Sequence, residues 1–189
     1  EERAALALLT AESRPGDYLD CIYRQDAAGT RWLYAGEAAL FGSVDPADDG
    51  LAEDLTHCLA ALAPAPPGCV IYAPLAIGTH VDHQITRRSA AVLKDHDYDV
   101  WYYEDYPYIA RDPAGLAASL GEPGRWRSRL IPLSQPDVQR KVMAVLAYPS
   151  QLGVLFPGEE AMVERVSAAL LRQASQTGQG QPAERLWRN

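Results

Sequence analysis

No stretch of this sequence approaches the roughly 20 consecutive apolar residues that a membrane-spanning helix requires, and none of its three cysteines stands in a CxxC pair. The first absence argues against a helical membrane span. The second, with Cys21, Cys58 and Cys69 scattered and odd in number, argues against a disulfide framework and suits a reducing, cytoplasmic setting. Dense basic runs are lacking too. Seventeen Lys and Arg face 25 Asp and Glu, a formal net charge of -8. A nucleic-acid surface needs a basic patch, so neutral or cationic small molecules are the more natural partners. Neither GxGxxG nor GxxxxGK[ST] occurs, which weighs against a nucleotide-binding α/β domain. There is no secretory signal pattern, no internal repeat and no heptad array.

What is present suits a packed domain. Apolar residues make up 48% of 189, enough for one domain with a sizeable core. The chain opens inside a helical pattern at residues 1–13, broken at Arg14-Pro15-Gly16. Residues 17–24 read as a strand end entering a loop. Residues 25–47 read as irregular, tacked down by Trp32, Tyr34 and Phe41. Leu51, Leu55, Cys58, Leu59 and Leu62 recur at helical spacing over 49–62. The run CVIYA (69–73) reads as a buried parallel strand, and residues 69–75 are expected to lie centrally in the sheet. A helix is expected over 80–95 and a strand over 99–103, together a β-α-β crossover. Further helices are expected at 113–120, 136–147 (with Pro136 in the first turn) and 158–174. Strands are expected at 127–133 and 184–188, the latter after a polar linker at 175–183. The alternation predicts a three-layer, Rossmann-like α/β sandwich with a mostly parallel sheet.

The chemistry concentrates just after the first of these strands, in Pro74-Leu75-Ala76-Ile77-Gly78-Thr79-His80-Val81-Asp82-His83. Ligands of open α/β sheets bind at the carboxyl ends of strands. His80 and His83 share one face of a helical first turn. Asp82 suits the positive end of the helix, which also favours a neutral, metal-binding imidazole. H-x-D-H reads either as a site or as a solvated helix start capped by Asp82. A catalytic zinc takes three protein ligands, and these histidines supply at most two. His57 falls on the polar side of its helix, His96 in a charged turn, and Cys58 and Cys69 in apolar positions, so none completes the set. A second cluster, Tyr102-Tyr103-Glu104-Asp105-Tyr106-Pro107-Tyr108, follows the next strand. Carboxylates among tyrosines suit a polyhydroxylated ligand, or form an ordinary aromatic loop. Asp20 and Arg24 either touch substrate or pair with each other. Lys141 and the loop Tyr148-Pro149-Ser150-Gln151 are lesser candidates.

These motifs, in this order, resemble the PIG-L/LmbE-like family of zinc-dependent N-deacetylases. PLAIGTHVDH is similar to its PLG-G-HVDH signature, YYEDYPY to its YEDxPY, DCIYR to its D-x-x-YR, Lys141 with AYPSQ to its K…Y-SQ element, and GQPAERLWR to its C-terminal strand. The resemblance spans the chain and treats residues 1–189 as a single deacetylase-like domain. It implies a Rossmann-like fold and zinc-dependent removal of an acyl group, usually acetyl, from an N-acylated amino sugar or related amide. It implies that His83 is a zinc ligand, that His80 stabilises the oxyanion or acts as an acid with Asp82 tuning it, and that Asp20, Arg24, Glu104 and Asp105 hold substrate. The family's other ligands and its general base come from an HPDDE-like motif, which is absent here. The first helix resembles one that lies downstream of that motif in the family. One strand and one helix are therefore expected to precede Glu1, and the 189 residues alone are expected to be inactive. A non-catalytic sugar-binding or assembly module of the same fold is the alternative.

Overall fold

The computed structural model describes residues 1–122, 124–175 and 180–189. Part of the polar linker expected at 175–183 lies outside these. Described strands hydrogen-bond in the order β1–β2–β4–β3, with β1 at Val70–Pro74, β2 at Asp99–Tyr103, β3 at Arg127–Pro132 and β4 at Ala183–Arg188. β1 and β2 run parallel, in register from Val70↔Asp99 to Pro74↔Tyr103. β4 joins β2 antiparallel, Tyr102 opposite Trp187. The sheet is therefore mixed, which corrects the expectation of a mostly parallel one. β1 is also an edge strand rather than a central one. Val70 and Tyr72 stand exposed on it, while Ala73 and Pro74 are buried.

The chain divides into two compact units. One comprises residues 16–128 and 186–189. It holds α2 (Glu37–Leu40), α3 (Leu51–Leu62), β1, α4 (Val81–Asp95), β2, α5 (Tyr108–Arg111) and α6 (Gly115–Leu120). Helix α4 serves two apolar clusters. Its second half gives Ala90 and Leu93 to the core formed with Ala73, Leu75, Ile77, Val100 and Tyr102. Its first turns give Val81 and Ile85 to a smaller core with Cys21, Leu33, Tyr34 and Val44. The helix is thereby clamped at the end that carries the histidines. Helix α3 packs on α4, and its fully buried residue is Thr56, whose Oγ1 donates to Ala52 O at 2.7 Å and lies 3.0 Å from Ser89 Oγ. Leu62 is exposed. Small hydroxyl residues thus meet between the two helices, while Leu51 and Leu59 pack against the apolar clusters.

Residues 17–24 form a 3-10 turn, Cys21–Tyr23, capped by the Asp20 carboxylate, which accepts from Ile22 N at 3.1 Å. An expected strand end is replaced because this local cap satisfies the backbone first. In the following segment Tyr34 is buried but Trp32 is half exposed, so tyrosine, not tryptophan, anchors it.

The other unit comprises residues 1–15 and 129–185. Helix α1 (Glu2–Leu9) packs on α7 (Gln135–Leu146), and α7 on α9 (Glu159–Ser175). Pro136 stands in the first turn of α7, as the sequence predicts, and a Ser134/Asp137 capping box starts the helix. A short helix, α8 (Pro149–Leu155), occupies what reads as a loop at 148–151. Proline at the first helical position costs no hydrogen bond. Lys141 pairs with Glu184, and Ser150 donates to Glu1, 2.6 Å from Oγ to Oε2. Both side chains have structural partners here. No helix of the described residues is long and apolar enough to cross a membrane.

Candidate active site

The loop joining β1 to α4 sets the geometry. Ala76, Gly78 and Thr79 all have positive φ, 58°, 82° and 60°. For Ala and Thr this conformation is disfavoured by about 1–2 kcal/mol each, so the surroundings must hold it. Thr79 Oγ1 donates to Phe41 O at 2.6 Å, and Gln84 Nε2 donates to Gly42 O at 2.7 Å and Thr79 O at 2.5 Å. A Cβ on Gly78 would stand 2.8 Å from the Tyr108 ring, so only glycine lets that ring close over the loop.

The loop delivers His80 as the N-cap of α4. Its Nδ1 accepts the Asp82 backbone N–H at 3.3 Å, which assigns the proton to Nε2. Burial first, then the neighbouring His83, and also Arg24, hold this imidazole below its usual range, against the opposing pull of Asp20. His80 is therefore a neutral Nε2–H donor at neutral pH.

His83, one turn on, has the opposite partner. Its Nδ1 lies 2.5 Å from Asp105 Oδ1. Asp105 is fully buried, and its other oxygen accepts Ile77 N–H at 3.0 Å. A carboxylate can only accept, so in the neutral imidazole Nδ1 carries the proton and Nε2 has the lone pair. The ring centroids of His80 and His83 are 5.3 Å apart. Phe41 stands edge-on to His80, and Tyr108 edge-on to His83, giving the pair aromatic walls.

Several residues expected to hold substrate have partners within the protein. Arg24 is buried, does not pair with Asp20, and bridges Asp48 at 2.8 Å and Asp82. Its guanidinium lies over the Tyr34 ring at 5.3 Å, and Tyr34 donates to Asp48 Oδ2 at 2.8 Å. Burial pushes the Tyr34 hydroxyl up to about 12. Asp82 thus meets His80 through its backbone, while its carboxylate faces Arg24 and the Cys21 N–H, 3.3 Å away. Asp105 faces His83, as above. Glu104 accepts the Trp187 indole N–H at 2.9 Å, where β4 pairs with β2. Asp20 alone of the four remains exposed. His57 is exposed on α3 and His96 in the turn after α4, as their sequence positions predict.

Cys21 was not legible as a site residue. Its Sγ lies 3.9 Å from His80 Nε2. Cys21, His80 and Asp82 form a group of metal-capable side chains with ligand atoms within 4.8 Å of one another. A cavity of about 460 Å³ adjoins the same loop, lined by Gly78, Thr79, Gln84, Arg87 and Asp112 among others. Neither histidine lines it.

No family model matches the chain, and no curated protein matches it. Solved structures do match. The zinc-inhibited form of teicoplanin deacetylase Orf2 shares 25% identity over 98% of this chain and 70% of its own, with a TM-score of 0.74. A deacetylase–teicoplanin complex from the teicoplanin biosynthesis pathway shares 26% over 98% and 69%, with a TM-score of 0.67. The A40926 pseudoaglycone deacetylase Dbv21, at 24% identity over 98% and 66% and a TM-score of 0.62, shares the fold.

Proposed function

The chain belongs to the PIG-L/LmbE-like family of N-deacetylases, and from that premise we propose that it serves zinc-dependent removal of an acetyl or other acyl group from an N-acylated amino sugar carried on a glycopeptide. The observation that carries this is the opposed hydrogen bonding of His80 and His83. The residues fit the metal. His83 offers Nε2 as ligand, and a buried carboxylate behind a ligating imidazole is the usual support of a zinc histidine. When bound, zinc supplies Lewis acidity toward the amide.

The chain's own residues do the rest. His80 Nε2–H donates to the acyl oxygen as negative charge develops there, a contribution of about 3–4 kcal/mol for one donor. The Asp82 backbone holds the imidazole in the donating tautomer, and Arg24 holds the Asp82 carboxylate away from it. Phe41 and Tyr108 flank the two rings edge-on. Asp20 is the exposed acceptor left to contact sugar hydroxyls or the emerging amine. Two related deacetylase structures concern teicoplanin, and this directs the substrate reading toward glycopeptide amino sugars. One of them is a zinc-inhibited form, and we extend that behaviour to this protein: zinc in excess inhibits it.

Residues 1–189 read as one deacetylase-like domain that gives the family's centre only His83. The test is amine release from an N-acetylglucosaminyl glycopeptide. The 189 residues alone are expected to be inactive, and the chain extended upstream by the family's His–Asp segment active. Activity that survives removal of zinc would contradict the reading. Tight glycopeptide binding without turnover in the extended protein would favour the non-catalytic module.

A further inference from the structure

We infer that Cys21, His80 and Asp82 form a second divalent-metal site, separate from the centre built on His83, and that zinc bound there inhibits. The binding half stands on geometry alone; the inhibitory half rests on the deacetylase reading above.

One ligand atom from each of the three residues lies within 4.8 Å of the others, and Cys21 Sγ is 3.9 Å from His80 Nε2. Tetrahedral zinc, with Zn–S of about 2.3 Å and Zn–N of about 2.0–2.1 Å, sets its sulfur and nitrogen about 3.6 Å apart. Closing on an ion therefore asks these two atoms to approach by only a few tenths of an ångström. Asp20 Oδ1, 3.5 Å from Cys21 Sγ, offers a further oxygen from the exposed side. Thiolate, imidazole and carboxylate are a donor set that zinc favours over calcium or magnesium.

The local charge favours a dication. Asp48 and Asp82 share a single guanidinium, Arg24, and Asp20 adds a third carboxylate beside Cys21 Sγ. Both Asp82 oxygens have partners in Arg24 and the Cys21 N–H, yet each carboxylate oxygen has a second lone pair. Binding has a defined proton balance. The Cys21 thiol releases one proton to solvent. The His80 proton moves from Nε2 to Nδ1, which breaks its bond with the Asp82 N–H. His80 then has no donor left for the acyl oxygen, while His83 and Asp105 are untouched. That is why occupancy here would inhibit without displacing the first metal.

Cobalt(II) titration of the 189-residue chain tests the binding, because a cobalt–thiolate bond has a near-ultraviolet charge-transfer band. The band is expected at stoichiometric cobalt in the wild type and in His83→Ala, and absent in Cys21→Ala and Cys21→Ser. The serine variant keeps the side-chain volume should alanine loosen the core. No band in the wild type, or a band that survives both Cys21 variants, overturns the site. For inhibition, the active upstream-extended protein is assayed in rising zinc. Losing a group that only orients a ligand weakens metal sites about 10–100-fold, so Cys21→Ser should need roughly 100-fold more zinc for half-inhibition at unchanged basal turnover. Equal zinc sensitivity of wild type and Cys21→Ser would overturn the inhibitory half, and would leave the deacetylase reading intact.

Discussion

His80 and His83 are three residues apart on one helix end, yet the fold treats them oppositely. His83 meets an acceptor, the buried Asp105 carboxylate, and keeps Nε2 free as a lone pair. His80 meets a donor, the Asp82 backbone N–H, and keeps Nε2 as a proton. One imidazole is thereby prepared to bind a cation and the other to meet a developing anion. The chemistry of each follows from its neighbour, not from its place in H-x-D-H. The surroundings differ in kind as well. Around His83 the support is one carboxylate from the end of β2. Around His80 it is a network, Arg24–Asp48–Tyr34, gathered from a 3-10 turn and the loops after it.

The largest effect that separates the two is expected from replacing each in the upstream-extended protein. His83→Ala should strip or loosen zinc and take turnover to background. His80→Ala should retain zinc and lower kcat by about 10²–10³-fold, the scale for one lost oxyanion donor. Zinc content and turnover measured together in a Cys21→Ser background, which removes the second site, decide this, and equal metal loss in both variants there would merge the two roles. Next comes the network. Arg24→Met leaves Asp48 and Asp82 without their buried cation and should cost about 3–5 kcal/mol of stability, read by urea unfolding. A cost near zero would mean that Arg24 does not organise this side.

A smaller effect is expected at Asp105. In Asp105→Asn one amide oxygen can still accept Ile77 N–H, which turns the NH2 toward His83 Nδ1. The tautomer reverses and zinc affinity should fall about 10–100-fold, measured by competition with a chromophoric chelator. The smallest concerns Tyr34. Its folded pKa, about 12, lies above the ordinary 10.0. The folded state therefore retains a proton that the unfolded state loses. Its contribution is complete below about pH 10 and disappears as pH rises toward 12. Tyr34→Phe should flatten the alkaline fall in stability across that window, and identical slopes would remove Tyr34 from the account.

The sequence made the His83 side more readable than the His80 side, for a physical reason. HVDH and YYEDYPY each follow an apolar strand, so local pattern alone brings them to one rim. The pairing of His83 with Asp105 then needs only two adjacent parallel strands. Cys21–Asp82 and Arg24–Asp48 are contacts across 61 and 24 residues, and no local period encodes them. The charges of Arg24 and Asp105 are visible in the sequence, while their burial and their internal partners are not. Strand direction was equally hidden. β4 has the composition of a strand, but alternation of side chains does not say whether it runs with or against β2.

The opposed tautomers are the central claim, and nitrogen-15 NMR of the metal-free chain at mildly alkaline pH reads them directly. Long-range proton–nitrogen correlations, assigned with His80→Ala and His83→Ala, should show Nε2–H for His80 and Nδ1–H for His83. The same tautomer at both positions would contradict the account.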